Sequence, residues 1–174
     1  MSAKQPGSQA LSPILQVGVK VLLLNPEHDY FVGIQRHQDF FNQRKAHGVV
    51  PEKYDVPGGR IEFGEQPEAG LRREINEEIG LALPADSKFQ LLSAANIVCK
   101  PELQIIRITY VLQNQVFTSL DDMVLSDEHQ ALAWVPLVTS PSLHPLLNNA
   151  IEVLLNRQLA FQQNQATPQR SAAI

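Results

Sequence analysis

The chain has 174 residues, enough for one ordinary domain with its own hydrophobic core. Its formal net charge of −4 argues against a nucleic-acid polymer as partner, because there is no overall basic field to hold one. The single cysteine excludes an intramolecular disulfide and a cysteine-rich zinc site, which is typical of a cytoplasmic protein.

Both ends of the chain are rich in Gln, Ser, Ala and Pro and contain little to bury. Residues 1–12 and 163–174 are therefore predicted to be disordered tails around one domain at 13–162. The apolar run at 17–24 is interrupted by Lys20 and is too short for a membrane span, which needs about 20 apolar residues. We expect a buried strand there and no membrane association.

Two short apolar runs follow the first tail, at 18–24 and 30–35. The residues between them, 25–29, have a strong turn composition, so the two runs are predicted to form an antiparallel hairpin. Two further extended pieces, at 54–57 and 61–63, are predicted on either side of a pair of glycines.

A helix is predicted between Pro67 and Gly80. Proline suits a first helical turn because its missing N–H is not needed there, and glycine suits the left-handed position just past the end. Leu71, Ile75 and Ile79 repeat every fourth residue and predict the buried face of this helix.

The sequence after the first helix predicts more strands and a closing helix. Extended runs at 89–99, 103–112 and 131–135 are typical of strands, and apolar residues at helical spacing predict a second amphipathic helix from about 142 to 160. Strands, a helix, more strands and a closing helix predict an α/β or α+β sandwich.

The first helix carries three glutamates, Glu74, Glu77 and Glu78, at positions i, i+3 and i+4. Their carboxylates share one face beside the apolar stripe, which places Glu74 and Glu78 near the boundary between helix and sheet. Clustered carboxylates repel one another, and Mg²⁺ relieves that repulsion because it takes oxygen ligands and is completed by water and substrate phosphates. The pattern predicts a metal and phosphate site.

The alternative is that this helix only has a solvated acidic face, as many Glu-rich helices do. Arg73 favours the functional interpretation, because it lies four residues before Glu77 and can hold it by a charge-assisted hydrogen bond. Gly58 and Gly59 favour it too, because they let the backbone turn tightly and approach an ion closely.

These residues belong to a longer pattern with fixed spacing. Read from the first glycine, it is Gly59, five residues, Glu65, seven residues, Arg73-Glu74-Ile75, one residue, Glu77-Glu78, one residue and Gly80-Leu81. The pattern resembles the catalytic box of the Nudix hydrolase superfamily at every fixed position. A chance match has a probability on the order of 10⁻⁹ per window.

The resemblance implies a Nudix fold, an α/β/α sandwich with a mixed β-sheet. It implies Mg²⁺, or Mn²⁺, held principally by Glu74 and Glu78, with Glu77 as a further ligand or as the base that activates water. The residue before the box, Gly58, is implied as a ligand through its carbonyl, and Arg73 is assigned to the catalytic group.

MutT-like members of this superfamily place another metal-binding glutamate six residues before a strand tryptophan. Glu128 lies six residues before Trp134 here, so the resemblance implies Glu128 as a further ligand and catalytic residue. The alternative is that Glu128 is an ordinary surface residue. Trp134 itself is more typical of a core residue than of a substrate-stacking one.

Four residues are assigned to substrate binding. Arg36 ends a predicted strand that should lead into the cleft, where it could receive a phosphate, although a solvated loop residue is the alternative. Tyr54 could stack on a base or serve local packing. Gly59 and Arg60, at the start of the box, complete the set.

The resemblance implies Mg²⁺-dependent cleavage of a diphosphate bond in a nucleoside triphosphate, as in MutT-like pyrophosphohydrolases. A nucleoside diphosphate sugar or ADP-ribose is the alternative substrate. A different class of answer is a non-catalytic Nudix domain that only binds a ligand, but such domains commonly lose the box glutamates. The expected partner is a small nucleotide-like diphosphate, and a homodimer is left open.

Overall fold

The computed structural model describes residues 14–37, 54–100 and 102–166. Their strands and helices are, in chain order, β1 (Ile14–Leu22), β2 (Tyr30–Arg36), α1 (Pro67–Ile79), β3 (Phe89–Lys100), β4 (Leu103–Leu112), β5 (His129–Pro136) and α2 (Pro145–Ala166). The predicted extended pieces around the two glycines are not strands. The first piece contributes one isolated bridge, Asp55 to Ile34, and a second bridge, Arg60 to Gly18, lies just before the other piece.

The strands form two sheets. In the three-stranded sheet β4 lies at the centre, parallel to β1 and antiparallel to β3. The second sheet pairs β2 with β5 in antiparallel orientation. The predicted mixed β-sheet is therefore confirmed.

The predicted turn between β1 and β2 is present, but the prediction that the two strands pair as a hairpin is wrong. The turn closes through the hydrogen bonds from Asn25 N–H to Tyr30 O (3.1 Å) and from Val32 N–H to Leu23 O (2.9 Å). Beyond these bonds the two strands part into different sheets, because the free edge of β1 is taken by residues 57–61. Val19 and Val21 donate to the carbonyls of this segment at 2.8 and 3.0 Å.

The two helices cover opposite faces of the three-stranded sheet. On one face, the stripe of α1 is fully buried against alternate residues of β1: Leu71, Ile75, Ile79, Val19 and Val21. On the other face, Leu147 and Ile151 of α2 belong to one buried cluster with Leu22 of β1 and Val111 of β4. This is the α/β/α sandwich that the resemblance implied.

Helix α1 begins and ends where its sequence predicts. Pro67 occupies the first turn, and Gly80 closes the helix at φ 65° with its N–H donated to Asn76 O at 3.0 Å. Helix α2 begins later than predicted and continues to Ala166, into the segment predicted as a tail. The rest of both predicted tails lies outside the described residues. Neither helix is long and apolar enough to cross a membrane within the described part of the chain.

A partly buried ion cluster joins the two sheets at Asp55. Its backbone exchanges two hydrogen bonds with Ile34 of β2, at 2.8 and 2.9 Å. Its carboxylate meets Lys20 Nζ of β1 at 3.1 Å and Arg107 Nη2 of β4 at 2.9 Å. Burial raises the pKa of Asp55, but Arg107 and Lys20 outweigh it and hold that pKa well below its usual range.

Removing this charge should destabilise the fold. We expect Asp55→Asn to lower the free energy of unfolding by about 3 kcal/mol at pH 7, because two enclosed cations lose their counter-charge. The native pKa lies below the unfolded value of about 3.9, so the stabilisation is present at neutral pH and is lost as pH falls below that value.

Denaturant titrations of wild type and Asp55→Asn at pH 7 and pH 3 test this, with the exposed Asp122→Asn as matched control. An Asp55→Asn midpoint equal to wild type at pH 7 would contradict the role given to the cluster.

Candidate active site

A tight turn at Gly58 and Gly59 lies beside the end of helix α1. Gly58 has φ 129°, and a Cβ there would overlap the carbonyl of Val19. A Cβ on Gly59 would overlap the carboxylate of Glu74. The two glycines therefore let the backbone cross β1 closely and leave room for a glutamate side chain.

Glu78 is the most enclosed acidic group of the box, with a side chain 8% exposed. Its Oε2 accepts the Gly58 N–H at 2.7 Å, while Oε1 has longer contacts of 3.7 Å to Arg36 Nη2 and 3.6 Å to His129 Nε2. Burial raises the pKa of Glu78, and Lys20 and the Gly58 N–H only partly offset it. The nearby charge of Glu74 raises it further.

Arg73 holds the other box carboxylates in place. Its Nη1 donates to Glu74 at 3.0 Å and to Glu77 at 2.9 Å, the second being the contact expected from their spacing. Its Nε and Nη2 donate to Glu65 at 3.0 Å each. Nη2 also donates to the Arg60 carbonyl at 2.8 Å. Arg73 is thus a positioning residue that ties the helix to the start of the box.

Glu128 reaches the site because its loop is bound to the end of α1. Ser126 N–H donates to the Glu78 carbonyl at 2.9 Å, and the Glu128 carbonyl accepts the His37 N–H at 3.4 Å. The Glu128 carboxylate then meets Arg36 Nη1 at 3.2 Å. The structure therefore brings Glu128, Arg36 and Glu78 together, with the guanidinium between the two carboxylates.

The remaining predicted residues lie around this centre. Tyr54 is half-buried and packs against the core on the α2 side. The Arg60 side chain is exposed, and its carbonyl serves Arg73. Trp134 packs against the α1-side core and lies five residues along β5 from His129, as expected of a core residue. Residues 38–53, which follow Arg36 and His37 in the chain, lie outside the described residues.

His129 is a site residue that the sequence did not reveal. It is buried, its Nδ1 lies 3.0 Å from Ser126 Oγ, and its Nε2 faces Glu78 without a hydrogen-bond partner. Burial lowers its pKa to about 4, and Arg36 and Lys20 add to the effect. The predicted strand begins at Ala131. Continuing its alternation two residues toward the N-terminus places His129 on the inward face.

The donor set suits a hard divalent cation. Within the described ranges, no three His, Cys, Asp or Glu side chains are already arranged as a metal cage. The reason is that Arg73 holds Glu74 and Glu77 while Arg36 holds Glu128. Mg²⁺ needs only one or two carboxylates besides water and phosphate, and Glu74 and Glu78 are the two enclosed carboxylates beside the Gly58 turn.

Comparison with known proteins places the chain in a family. Residues 14–156 match the family model described as the NUDIX domain. A 64-residue segment is 39% identical to 8-oxo-dGTP diphosphatase of Escherichia coli (strain K12), covering 35% of this chain and 50% of the relative. The same enzyme of Haemophilus influenzae is 36% identical over 64 residues, covering 35% of this chain and 47% of the relative. The matched segment thus spans about half the length of these curated relatives.

A solved structure supports the fold over the whole domain. The crystal structure of the MutT protein from Methanosarcina mazei Go1 has a TM-score of 0.61 and 20% identity, covering 91% of this chain and 100% of that chain. The resemblance first seen in the box is confirmed by the family model, which spans every described strand and most of α2. The chain therefore belongs to the NUDIX family and is MutT-like in fold.

Proposed function

We propose that this NUDIX chain is a divalent-metal-dependent hydrolase that splits a nucleoside triphosphate into a nucleoside monophosphate and pyrophosphate. The observation that carries this proposal is that the glutamates around the Gly58 turn differ in solvent exposure and form an enclosed pair and an exposed pair. Glu74 and Glu78 are enclosed, with side chains 15% and 8% exposed, whereas Glu77 and Glu128 are 56% and 71% exposed. The family, and relatives named as 8-oxo-dGTP diphosphatases, support a diphosphate bond as the target.

The enclosed pair is suited to hold the cation. Glu74 and Glu78, with the Gly58 carbonyl, are the proposed ligands. Bound Mg²⁺ or Mn²⁺ would supply the positive charge that neutralises the phosphate oxygens during hydrolysis. A cation here would also relieve the cost of burying the Glu78 carboxylate, whose Oε1 now has only the longer contacts to Arg36 and His129.

The exposed pair is suited to proton transfer, because a general base must return its proton to solvent after each turnover. Glu77 is held by Arg73 at 2.9 Å, and Glu128 reaches the site from the opposite loop. One of them accepts a proton from the attacking water. The water oxygen bonds to phosphorus, the bridging P–O bond breaks, and pyrophosphate leaves with the bond's electron pair.

Arg36 links the metal site to substrate binding. Its guanidinium pairs with Glu128 at 3.2 Å and lies 3.7 Å from Glu78, so one positive charge is shared by two carboxylates. Once a cation neutralises these carboxylates, the five donors of the guanidinium can turn to a substrate phosphate. Gly59 and Arg60 border the same turn as further substrate contacts, and Tyr54 remains the proposed base-stacking residue.

The proposal predicts that Glu78→Gln loses activity. Losing the buried ligand charge should reduce kcat for pyrophosphate release about 100-fold or more, since metal stabilisation of the transition state amounts to several kcal/mol. Steady-state assays of pyrophosphate release with Mg²⁺ and a panel of nucleoside triphosphates measure this. The exposed Glu152→Gln on α2 is the matched control and should keep wild-type rates.

Two results would go against the proposal. One is a Glu78→Gln enzyme as active as wild type. The other is a wild type that is inert on every diphosphate tested yet still binds nucleotide, which would favour a ligand-binding module.

The same substitution should stabilise the metal-free protein. Because burial raises the pKa of Glu78, ionising this group costs the folded state more than the unfolded one at neutral pH. Glu78→Gln should therefore raise Tm at pH 7 by about 2–4 °C, and the gain should shrink as pH falls through the folded-state pKa. Scanning calorimetry in EDTA at pH 7 and pH 4 measures the difference, and a lower Tm at pH 7 would contradict it.

Glu128 should matter for the metal rather than for the fold. We expect Glu128→Gln to raise the Mg²⁺ concentration for half-maximal activity about 10-fold, because a carboxylate bordering the site is lost. Its Tm should stay near wild type, because Glu128 is largely exposed. The neighbouring exposed Asp127→Asn is the control, and an identical Mg²⁺ dependence for both variants would remove Glu128 from the site.

A further inference from the structure

A short chain of polar contacts leads from the loop before β5 to the carboxylate of Glu78. Ser126 Oγ lies 3.0 Å from His129 Nδ1, and His129 Nε2 lies 3.6 Å from Glu78 Oε1. The backbone follows the same route, because the His129 N–H donates to Ser126 O at 3.1 Å and the Ser126 N–H donates to Glu78 O at 2.9 Å. The imidazole is therefore held between this loop and the end of α1, with one ring nitrogen toward each.

His129 Nε2 is a buried atom without a hydrogen-bond partner. The His129 side chain is 1% exposed, so bulk water cannot supply the missing partner. Most buried polar groups in folded proteins are paired. The separation of 3.6 Å from Glu78 Oε1 is too long for a hydrogen bond, but a shift of about 0.5 Å brings the two atoms into the usual range.

The two carboxylate oxygens of Glu78 are held unequally. Oε2 accepts the Gly58 N–H at 2.7 Å, whereas Oε1 has only the longer contacts to His129 Nε2 and Arg36 Nη2, at 3.6 and 3.7 Å. In the proposed function, Arg36 turns from the carboxylates to a substrate phosphate. Of the two contacts to Oε1, only the one to His129 then remains.

An N–H donated from this side leaves room for a metal ion. A carboxylate oxygen has two lone pairs, so Oε1 and Oε2 of Glu78 each keep one for a cation after accepting one hydrogen bond. Burial lowers the pKa of His129 to about 4, so its imidazole is neutral at pH 7 and does not compete with a cation for the carboxylate. A neutral imidazole has one N–H, and Nε2 carries it when Nδ1 accepts the hydroxyl hydrogen of Ser126.

We propose that His129 is a positioning residue that donates its Nε2–H to Glu78 Oε1 and fixes this carboxylate for the divalent cation, while the Ser126 hydroxyl selects the required tautomer. This inference rests on the proposed function, because it assigns a further residue to the same metal site. Loss of a hydrogen-bond partner that orients a metal ligand typically lowers metal affinity by about 10- to 100-fold. The effect of His129 should therefore be seen in metal affinity.

The alternative is that His129 only fills space between α1 and β5. Both interpretations predict that removing the ring destabilises the fold, so stability alone does not separate them. Two amides do, because glutamine places its amide nitrogen near the position of Nε2, whereas asparagine is shorter and places its amide near Nδ1. Only glutamine can therefore replace the N–H toward Glu78.

The test is calorimetric titration of Mn²⁺ into the substrate-free protein, which does not depend on catalysis. Wild type and His129→Gln should have Kd values within about 3-fold of each other, and His129→Asn should bind Mn²⁺ about 10-fold or more weakly. His28→Asn is the control, because His28 is exposed in a turn at φ 58°, a conformation that asparagine tolerates. It should bind Mn²⁺ as wild type does.

Nitrogen NMR of the metal-free protein with isotopically labelled histidine measures the tautomer directly. In wild type at pH 7, the His129 ring should have a protonated Nε2 and an unprotonated Nδ1. Ser126→Ala removes the hydroxyl that holds Nδ1, so the two tautomers should mix and Mn²⁺ affinity should fall about 3-fold or more. Ser126→Thr keeps the hydroxyl and should restore both the tautomer and the affinity.

The outcomes separate this inference from the proposed function. Equal Mn²⁺ affinities for His129→Gln and His129→Asn, or an unprotonated Nε2 in wild type, would overturn the inference, while loss of hydrolysis in Glu78→Gln would still support the proposed function. If no triphosphate is hydrolysed, yet His129→Asn alone of the two His129 variants loses Mn²⁺ affinity, the proposed function fails and the positioning role stands. The tautomer is measured on wild type, so this part of the test holds even if a variant does not fold.

Discussion

The hydrogen bond from the Gly58 N–H to the buried carboxylate of Glu78 fixes the geometry on which the proposed metal site depends. It joins the end of helix α1 to a turn that is itself hydrogen-bonded along β1. The apolar stripe of α1 fixes the rotation of the helix on the sheet, and this rotation brings Glu74 and Glu78 under the turn while Glu77 faces solvent. Glu74 and Glu78 are therefore less exposed than Glu77 because of the way the helix packs on the sheet.

The same arrangement that suits a cation lowers the stability of the fold when no cation is bound. An enclosed carboxylate with one short hydrogen bond, near a second carboxylate and a neutral buried imidazole, is unfavourable in a protein without bound ions. Arg73 and Arg36 reduce the cost by pairing with the surrounding glutamates. Strain of this kind is common where a site is shaped for a ligand, and here it is confined to a few residues at one end of α1.

The sequence predicts the parts of this structure that depend on local spacing, and it fails where partners are distant. Helix α1 and the contact between Arg73 and Glu77 can both be predicted from residues spaced four apart in the sequence. The partner of β1 cannot be predicted in this way, because the segment that takes its free edge lies about forty residues away and local spacing does not say which strand the extended pieces of that segment join. Lys20 looks like a break in an apolar strand, yet it is enclosed by an acidic partner that the sequence does not connect to it. His129 is not predicted as a site residue, because β5 begins at His129 while the apolar run that predicts this strand begins only at Ala131.

Asp55 and Gly58 lie three residues apart on one extended segment that is bonded to both sheets. A change at Asp55 would therefore reach the Gly58 turn through this segment, so the ion cluster and the proposed metal site are mechanically coupled. Substitutions elsewhere on the strands can be absorbed locally, whereas the segment from Asp55 to Gly59 should tolerate little change.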